Sequence, residues 1–290
     1  MVYPGDLRLL EWENRFKDSI LPVTRSMQAE FVMDADMPLL TDETKGFPLQ
    51  NAMHTDWDDG RSRRLYLTDG GRKVAAYSIY DGRGVSVHID AALGSDFAFM
   101  FRPWHYIHIE DALLYNNALI LHSASIIYKG GAIAFSAPSG TGKTTQTDLW
   151  HKYRDGVSDL NGDRTLLQRV DVGGDAYGLP YGRCESGDRY LACGFPIFGG
   201  SMRFIQEAVP IHAIVVVRRA SIDSVRKLND LEKITALYSE CTVFSYYRKN
   251  VERAFDFLED FIKSVNVIEL SCTMNESAVD VLEEALFGTV

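Results

Sequence analysis

One stretch constrains this chain more than any other: Ala132 to Trp150, AIAFSAPSGTGKTTQTDLW. Ala132, Ile133, Ala134 and Phe135 are a run of small and apolar residues, the pattern of a buried strand. The chain then passes through Ala137-Pro138-Ser139-Gly140-Thr141-Gly142-Lys143-Thr144 and enters a segment with helical spacing. This is a Walker A loop with alanine at its first glycine position. Gly140 and Gly142 let successive backbone N–H groups turn inward around an anion, where a Cβ would obstruct them. Lys143 supplies a point charge for β- and γ-phosphates, and the Thr144 hydroxyl is placed to ligate Mg²⁺. The main chain from Pro138 through Ser139, Gly140, Thr141, Gly142, Lys143, Thr144 and Thr145 is therefore the expected nucleotide-binding set. The following helix aims its positive end at the same anion.

That loop is a local exception in an acidic protein. The 290 residues carry a formal net charge of −10, which argues against broad binding to nucleic acid or to anionic membranes. The most apolar run, Ala213 to Val217, stops at Arg218-Arg219, well short of a membrane span. The N-terminal MVYPGDLRLLEWENRF lacks the shape of a signal peptide. Cys184, Cys193, Cys241 and Cys272 are scattered without CxxC spacing, as free thiols of a cytoplasmic protein would be.

Around the loop, the patterning predicts a β-rich part over residues 1–100 and a larger α/β domain over 101–290. Residues 1–60 give little signal beyond polar turns. Arg64–Thr68, Val74–Tyr80 and Gly84–Ile89 read as a three-strand meander joined by glycine turns, with His88 a structural histidine. A helix is expected from Pro103 to Leu114, with His105 and His108 on one face but no third metal ligand. Ala118–Ile127 reads as a strand turning at Lys129-Gly130-Gly131 into the loop's own strand. Two Gly/Pro phrases follow, at 177–183 and 193–200, and then a buried strand over Ile211–Val217. Helices are expected over Asp223–Tyr238, Asn250–Val265 and Asn275–Phe287, with a short strand at Asn266–Leu270.

Phosphoryl transfer needs an acid to hold metal and a base to accept a proton. Asp163, about twenty residues beyond Lys143 and set at a loop after a short apolar stretch, is the first candidate, and Asp159 the second. Each also fits a plain turn acid. Arg183 and Arg203, in or just after the Gly/Pro phrases, are candidates for neutralising charge on a transferred group.

Ser139 to Thr145 (SGTGKTT), preceded by His122 and followed by Asn161-Gly162-Asp163-Arg164, resembles the HPr kinase/phosphorylase and phosphoenolpyruvate carboxykinase-like group of P-loop enzymes. It is most similar to the smaller HPr-kinase-related proteins, some of which phosphorylate serine on ribosomally made peptides. The resemblance covers roughly residues 104–290. It implies a mixed sheet with flanking helices, ATP with Mg²⁺, and a serine-type hydroxyl of a peptide or protein as acceptor. It also implies Mg²⁺ held by Thr144 and Asp163, catalytic roles for Asp163, Lys143 and His122, and assembly into a homo-oligomer. His122 stands fifteen residues before the first loop position, an interval similar to that of a catalytic-site histidine in the family. The chain departs from the group where two adjacent aspartates become Gly162-Asp163, so Asp163 or Asp159 has to serve as base. A small-molecule acceptor, or a nucleotide sensor without turnover, are the rival expectations.

Overall fold

The computed structural model describes residues 28–34, 47–49, 52–56, 62–68, 73–80, 84–92, 109–170, 189–194, 203–243 and 248–288. These fall into two units: one holds the described residues up to Tyr115 together with 248–251, the other holds 116–243 and those from 252 onward.

The first unit is a six-stranded sheet of β1 (Gln28–Asp34), β2 (Phe47–Leu49), β3 (Ala52–Asp56), β4 (Ser62–Thr68), β5 (Lys73–Tyr80) and β6 (Gly84–Asp90). Its order is β1-β6-β5-β4-β3-β2, with β1 parallel to β6 and every other pair antiparallel. The meander legible in the sequence is β4–β6. Alternation puts Val87 and Ile89 inside, and the cross-strand partners Tyr77 and His88 stack with ring centroids 4.4 Å apart. Helix α1 (Ile109–Tyr115) belongs to the same unit. The expected helix start at Pro103, with His105 and His108, lies outside the described residues.

The second unit is built on an eight-stranded mixed sheet: β7 (Ala118–Tyr128), β8 (Gly131–Ser136), β9 (Ser158–Asn161), β10 (Arg164–Arg169), β11 (Tyr190–Cys193), β12 (Ala208–Arg219), β13 (Ser224–Lys227) and β14 (Val267–Cys272). The order runs β11-β10-β7-β8-β12-β14-β13, and β9 pairs with β7. β8, β12 and β14 are mutually parallel neighbours, so their carboxyl ends share one edge. That edge is where open α/β sheets take their ligands. β11 pairs with both β10 and the start of β12, which curls the sheet back on itself.

Among the described residues, helices α2 (Lys143–Tyr153), α3 (Asp230–Glu240), α4 (Arg248–Ser264) and α5 (Glu276–Phe287) follow. The main core lies among the sheet, α2 and α5, where Phe135, Trp150, Val215, Leu270 and Leu282 are buried together. Each such side chain contributes about 1.5–3 kcal/mol by leaving water. The apolar stripe of α4 supplies Ala254, Phe257, Leu258, Phe261 and Ile262 to the interior.

One expectation is corrected. The segment Asp223–Tyr238 is not one helix: Ser224–Lys227 is the edge strand β13, antiparallel to β14. The helix begins only at Asp230, because Asn229 closes a capping box. Its side chain accepts from the Glu232 N–H at 2.9 Å, and the Glu232 carboxylate accepts from the Asn229 N–H at 2.9 Å. A cap of this kind stabilises a helix start by about 1 kcal/mol, enough to place it against a continuous helical pattern.

Candidate functional site

The loop joining β8 to α2 sits at the shared carboxyl edge. Gly140 and Gly142 hold φ of +78° and +126°, backbone conformations that L side chains rarely adopt. A Cβ on Gly142 would also meet Cε of Met274 at 2.5 Å. Thr141 N–H donates to the Pro138 carbonyl at 3.2 Å, and Gln146 N–H donates to Gly142 at 3.0 Å to start α2. From the end of β12, Arg219 Nε donates to the Thr141 carbonyl at 2.9 Å and its Nη2 donates to that of Gly140. Two loop carbonyls are thereby engaged by one guanidinium.

Lys143 is 8% exposed, and its Nζ donates to the Ala137 carbonyl at 2.6 Å. Burial lowers its pKa from the ordinary lysine value, while the nearby carboxylates of Glu240 and Asp163 work against that fall. Thr144 and Thr145 lie exposed on the first turn of α2.

His122 and Asp163 flank the loop on its β7 side. Ser123 faces Ser136 across the β7–β8 pair, and Ser136 Oγ donates to the His122 carbonyl at 3.3 Å. Arg164, the first residue of β10, is the register partner of His122, and Ser123 N–H donates to the Asp163 carbonyl at 3.0 Å. These pairings bring the Asp163 carboxylate to 3.5 Å from His122 Nε2 and 3.5 Å from Arg164 Nε. The His122 hydrogen bond lowers the Asp163 pKa most; burial opposes this, and the charges of Arg164, His122 and Lys143 assist it.

The bend carrying Asp163 is fastened by Asn161, which is fully buried. Asn161 Oδ1 accepts from the N–H groups of Asp163 at 3.0 Å and Arg164 at 2.7 Å. Beneath it, a ladder of buried hydroxyls runs from Ser123 to Thr165 at 2.8 Å, on to Ser125 at 2.8 Å, and ends on the Asn161 carbonyl at 3.3 Å. Gly162 N–H donates to the Arg203 carbonyl, and Ile205 N–H donates to that of Leu160. That approach needs a glycine at position 194, where a Cβ would fall 1.6 Å from the Ile205 carbonyl oxygen.

The side chain missed by sequence reasoning is Glu240, the last residue of α3. Its Oε2 lies 2.8 Å from His122 Nδ1, and the carboxylate is 10% exposed. No local pattern marks it, because the contact joins residues 118 positions apart. Its position depends on the short bridge between Leu121 and Cys241 that follows the helix.

The other candidates fall elsewhere. Asp159 pairs with His151 near the end of α2, at 3.0 Å, and is not gathered with Asp163. Arg203 turns its guanidinium to Asp148 on α2 at 2.7 Å, while its carbonyl helps hold the Asp163 bend. Arg183, the 177–183 phrase, and the second phrase beyond Gly194 lie outside the described residues.

Among the described residues, no cluster of three or more His, Cys, Asp and Glu side chains is gathered for a metal. Cys193, Cys241 and Cys272 are free thiols, and burial pushes the pKa of Cys193 up to about 12. No described helix is long and apolar enough to cross a membrane. A scan against protein-family models finds no match to this chain, and a search of curated proteins finds none.

Proposed function

We propose that this chain is an ATP-dependent kinase of the HPr kinase-like type, transferring the γ-phosphoryl group to a serine-type hydroxyl of a peptide or protein. The observation that carries the reading is the placing of the glycine loop after β8 and of Lys143 at the start of α2 beside His122 on β7 and Asp163 at the bend into β10. A strand–glycine loop–helix with a buried lysine suits a triphosphate. Arg219 engages the Gly140 and Thr141 carbonyls, oxygens that would otherwise be free to repel an anion.

In this reading Lys143 leaves the Ala137 carbonyl for the phosphate tail and neutralises part of its charge. The Thr144 hydroxyl and the Asp163 carboxylate would hold Mg²⁺, a donor set of hard oxygens that fits an ion taking its remaining ligands from phosphates and water. When bound, that ion shields the phosphoryl oxygens and steadies the leaving group. Asp163 is placed to accept the acceptor's proton, its carboxylate kept ionised by the His122 hydrogen bond and by Arg164. His122, between Asp163 and Glu240, holds that carboxylate in position.

Transfer from γ-labelled ATP to peptides or proteins encoded beside this gene tests the reading. Label on a serine of one of them, lost with Lys143→Ala, is the expected result. Label on small molecules alone would move the assignment to a small-molecule kinase of the same fold. A second reading, a nucleotide-binding sensor without turnover, is favoured by one observation: Gly162 stands where the group carries another aspartate. Nucleotide binding without hydrolysis or transfer would decide for it.

A further inference from the structure

We propose that Glu240 is a positioning residue for the acceptor end of this site: its carboxylate orients the His122 imidazole so that Nε2 is the nitrogen facing Asp163. The inference rests on the kinase reading for its catalytic consequence, but its structural half stands alone.

An imidazole on a strand edge has two nearly equivalent orientations about its outer torsion, and they exchange Nδ1 with Cδ2 and Nε2 with Cε1. Only one of them turns Nε2 to the Asp163 carboxylate, 3.5 Å away. Glu240 selects it by accepting from Nδ1–H at 2.8 Å with an almost fully covered carboxylate. A charge-assisted bond of that length in a covered site is among the stronger ones available to a side chain.

The selector is itself built in. Cys241 bridges Leu121, the residue before His122, and Thr242 N–H donates to the Ile120 carbonyl at 2.9 Å. Arg164 Nη1 donates to Thr242 Oγ1 at 2.7 Å, and Arg164 is the register partner of His122 on β10. The end of α3 is thus tied to both strands that carry the acidic and imidazole groups. A carboxylate that only needed solvation would not require three separate ties around one histidine. This is the logic by which a covered carboxylate fixes the orientation of a working imidazole. Glu240 touches neither phosphate nor acceptor in this scheme and acts through His122.

A double-mutant cycle separates that role from mere support of the fold. The full chain carries Glu240→Gln, His122→Asn, or both, and turnover is read with Mg²⁺ and ATP, with water as acceptor. Glu240→Gln is expected to lower kcat about tenfold with ATP binding within about twofold of wild type. Adding it to His122→Asn is expected to cost nothing further, because the residue it acts through is gone. Glu240→Asp restores part of the loss. Additive losses in the double variant, or a loss of ATP affinity equal to the loss of rate, overturn the proposal.

The second readout is independent of activity: ring spectra of ¹⁵N-histidine-labelled protein, with the His122→Asn variant to assign the signal. Wild type should show a protonated, hydrogen-bonded Nδ1 at His122, and Glu240→Gln should lose its low-field proton. A ring without a proton on Nδ1 in wild type, or a signal unmoved by Glu240→Gln, overturns the proposal even if turnover falls. If wild type neither hydrolyses ATP nor transfers label to the neighbour-encoded peptides or proteins while the ring spectrum is as expected, the kinase reading fails and the orienting role of Glu240 stands.

Discussion

The ammonium of Lys143 donates to the carbonyl oxygen of Ala137 at 2.6 Å, six residues back along its own loop. A buried cation has to be satisfied, and here the loop satisfies it internally. A phosphate tail would replace that carbonyl with a formal negative charge, so the exchange favours binding. Lys143→Ala removes the charge and leaves the Ala137 carbonyl without its donor. The variant is expected to lose detectable transfer and to bind ATP at least about tenfold more weakly by calorimetry, since a charge-assisted bond contributes about 1.5–3 kcal/mol. Undiminished affinity would mean that the tail lies elsewhere.

In the proposed reading, Asp163 acts in chemistry and not in binding. Its carboxylate is held by His122 and Arg164, on the opposite flank of the loop from Arg219. Asp163→Ala is therefore expected to leave nucleotide affinity within a few-fold while lowering turnover by about 10²–10³, the 3–4 kcal/mol commonly lost with one group that acts in the transition state. Single-turnover kinetics with labelled ATP reads the difference. Unchanged turnover would remove Asp163 from the mechanism.

How much of this was legible in the sequence depends on the range of the interactions. The loop and its flanking strand and helix were readable because a tight turn between a strand and a helix imposes residue types within a few positions. The meander β4–β6 was readable for the same reason, with two glycine turns between alternating runs. Asp163 stood out as an acid at a turn, but that feature cannot show whether His122 or His151 will be its neighbour. Register decides it: Arg164 opposite His122, and Asp159 one turn away beside His151. Glu240 was invisible because it is an ordinary helix-end glutamate until the Leu121–Cys241 bridge folds it over β7. The strand β13 was hidden by helix-compatible spacing, and only the capping box at Asn229 breaks that pattern.

Two glycines make unequal predictions about stability. At Gly140 an added Cβ meets nothing within 4 Å, and only the φ of +78° opposes it. Gly140→Ala is expected to cost about 1 kcal/mol in urea denaturation, the ordinary penalty for that conformation. At Gly194 the Cβ would stand 1.6 Å from the Ile205 carbonyl oxygen, backbone that is tied to Leu160 and cannot move alone. Gly194→Ala is expected to cost about 3 kcal/mol or more and to loosen the bend that carries Asp163. Equal costs at the two positions would show that the approach of Ile205 is not tight in solution.

Far from the loop, Glu283 on α5 ties three elements into one cluster, and its effect should depend on pH. Tyr128 Oη donates to its carboxylate at 2.6 Å, Lys129 Nζ at 2.9 Å, and Arg154 Nε from the end of α2 also donates to it. Burial raises the Glu283 pKa, but the bonds from Tyr128, Lys129 and Arg154 outweigh it and bring the value from 4.5 down to about 2. A carboxyl with a depressed folded pKa adds stability that is fully present above its unfolded value and lost as pH falls through the folded one. The contribution of Glu283 should therefore be constant from neutral pH down to about 5 and fade between 4.5 and about 2. Water reaches the rim of the cluster and screens the pairs, so Glu283→Gln is expected to cost about 1 kcal/mol at pH 7. Melting temperatures of the two proteins, measured side by side, should differ at pH 7 and converge as pH approaches 2. A gap that persists unchanged at pH 2 would assign the loss to packing against Tyr128 and not to the charge.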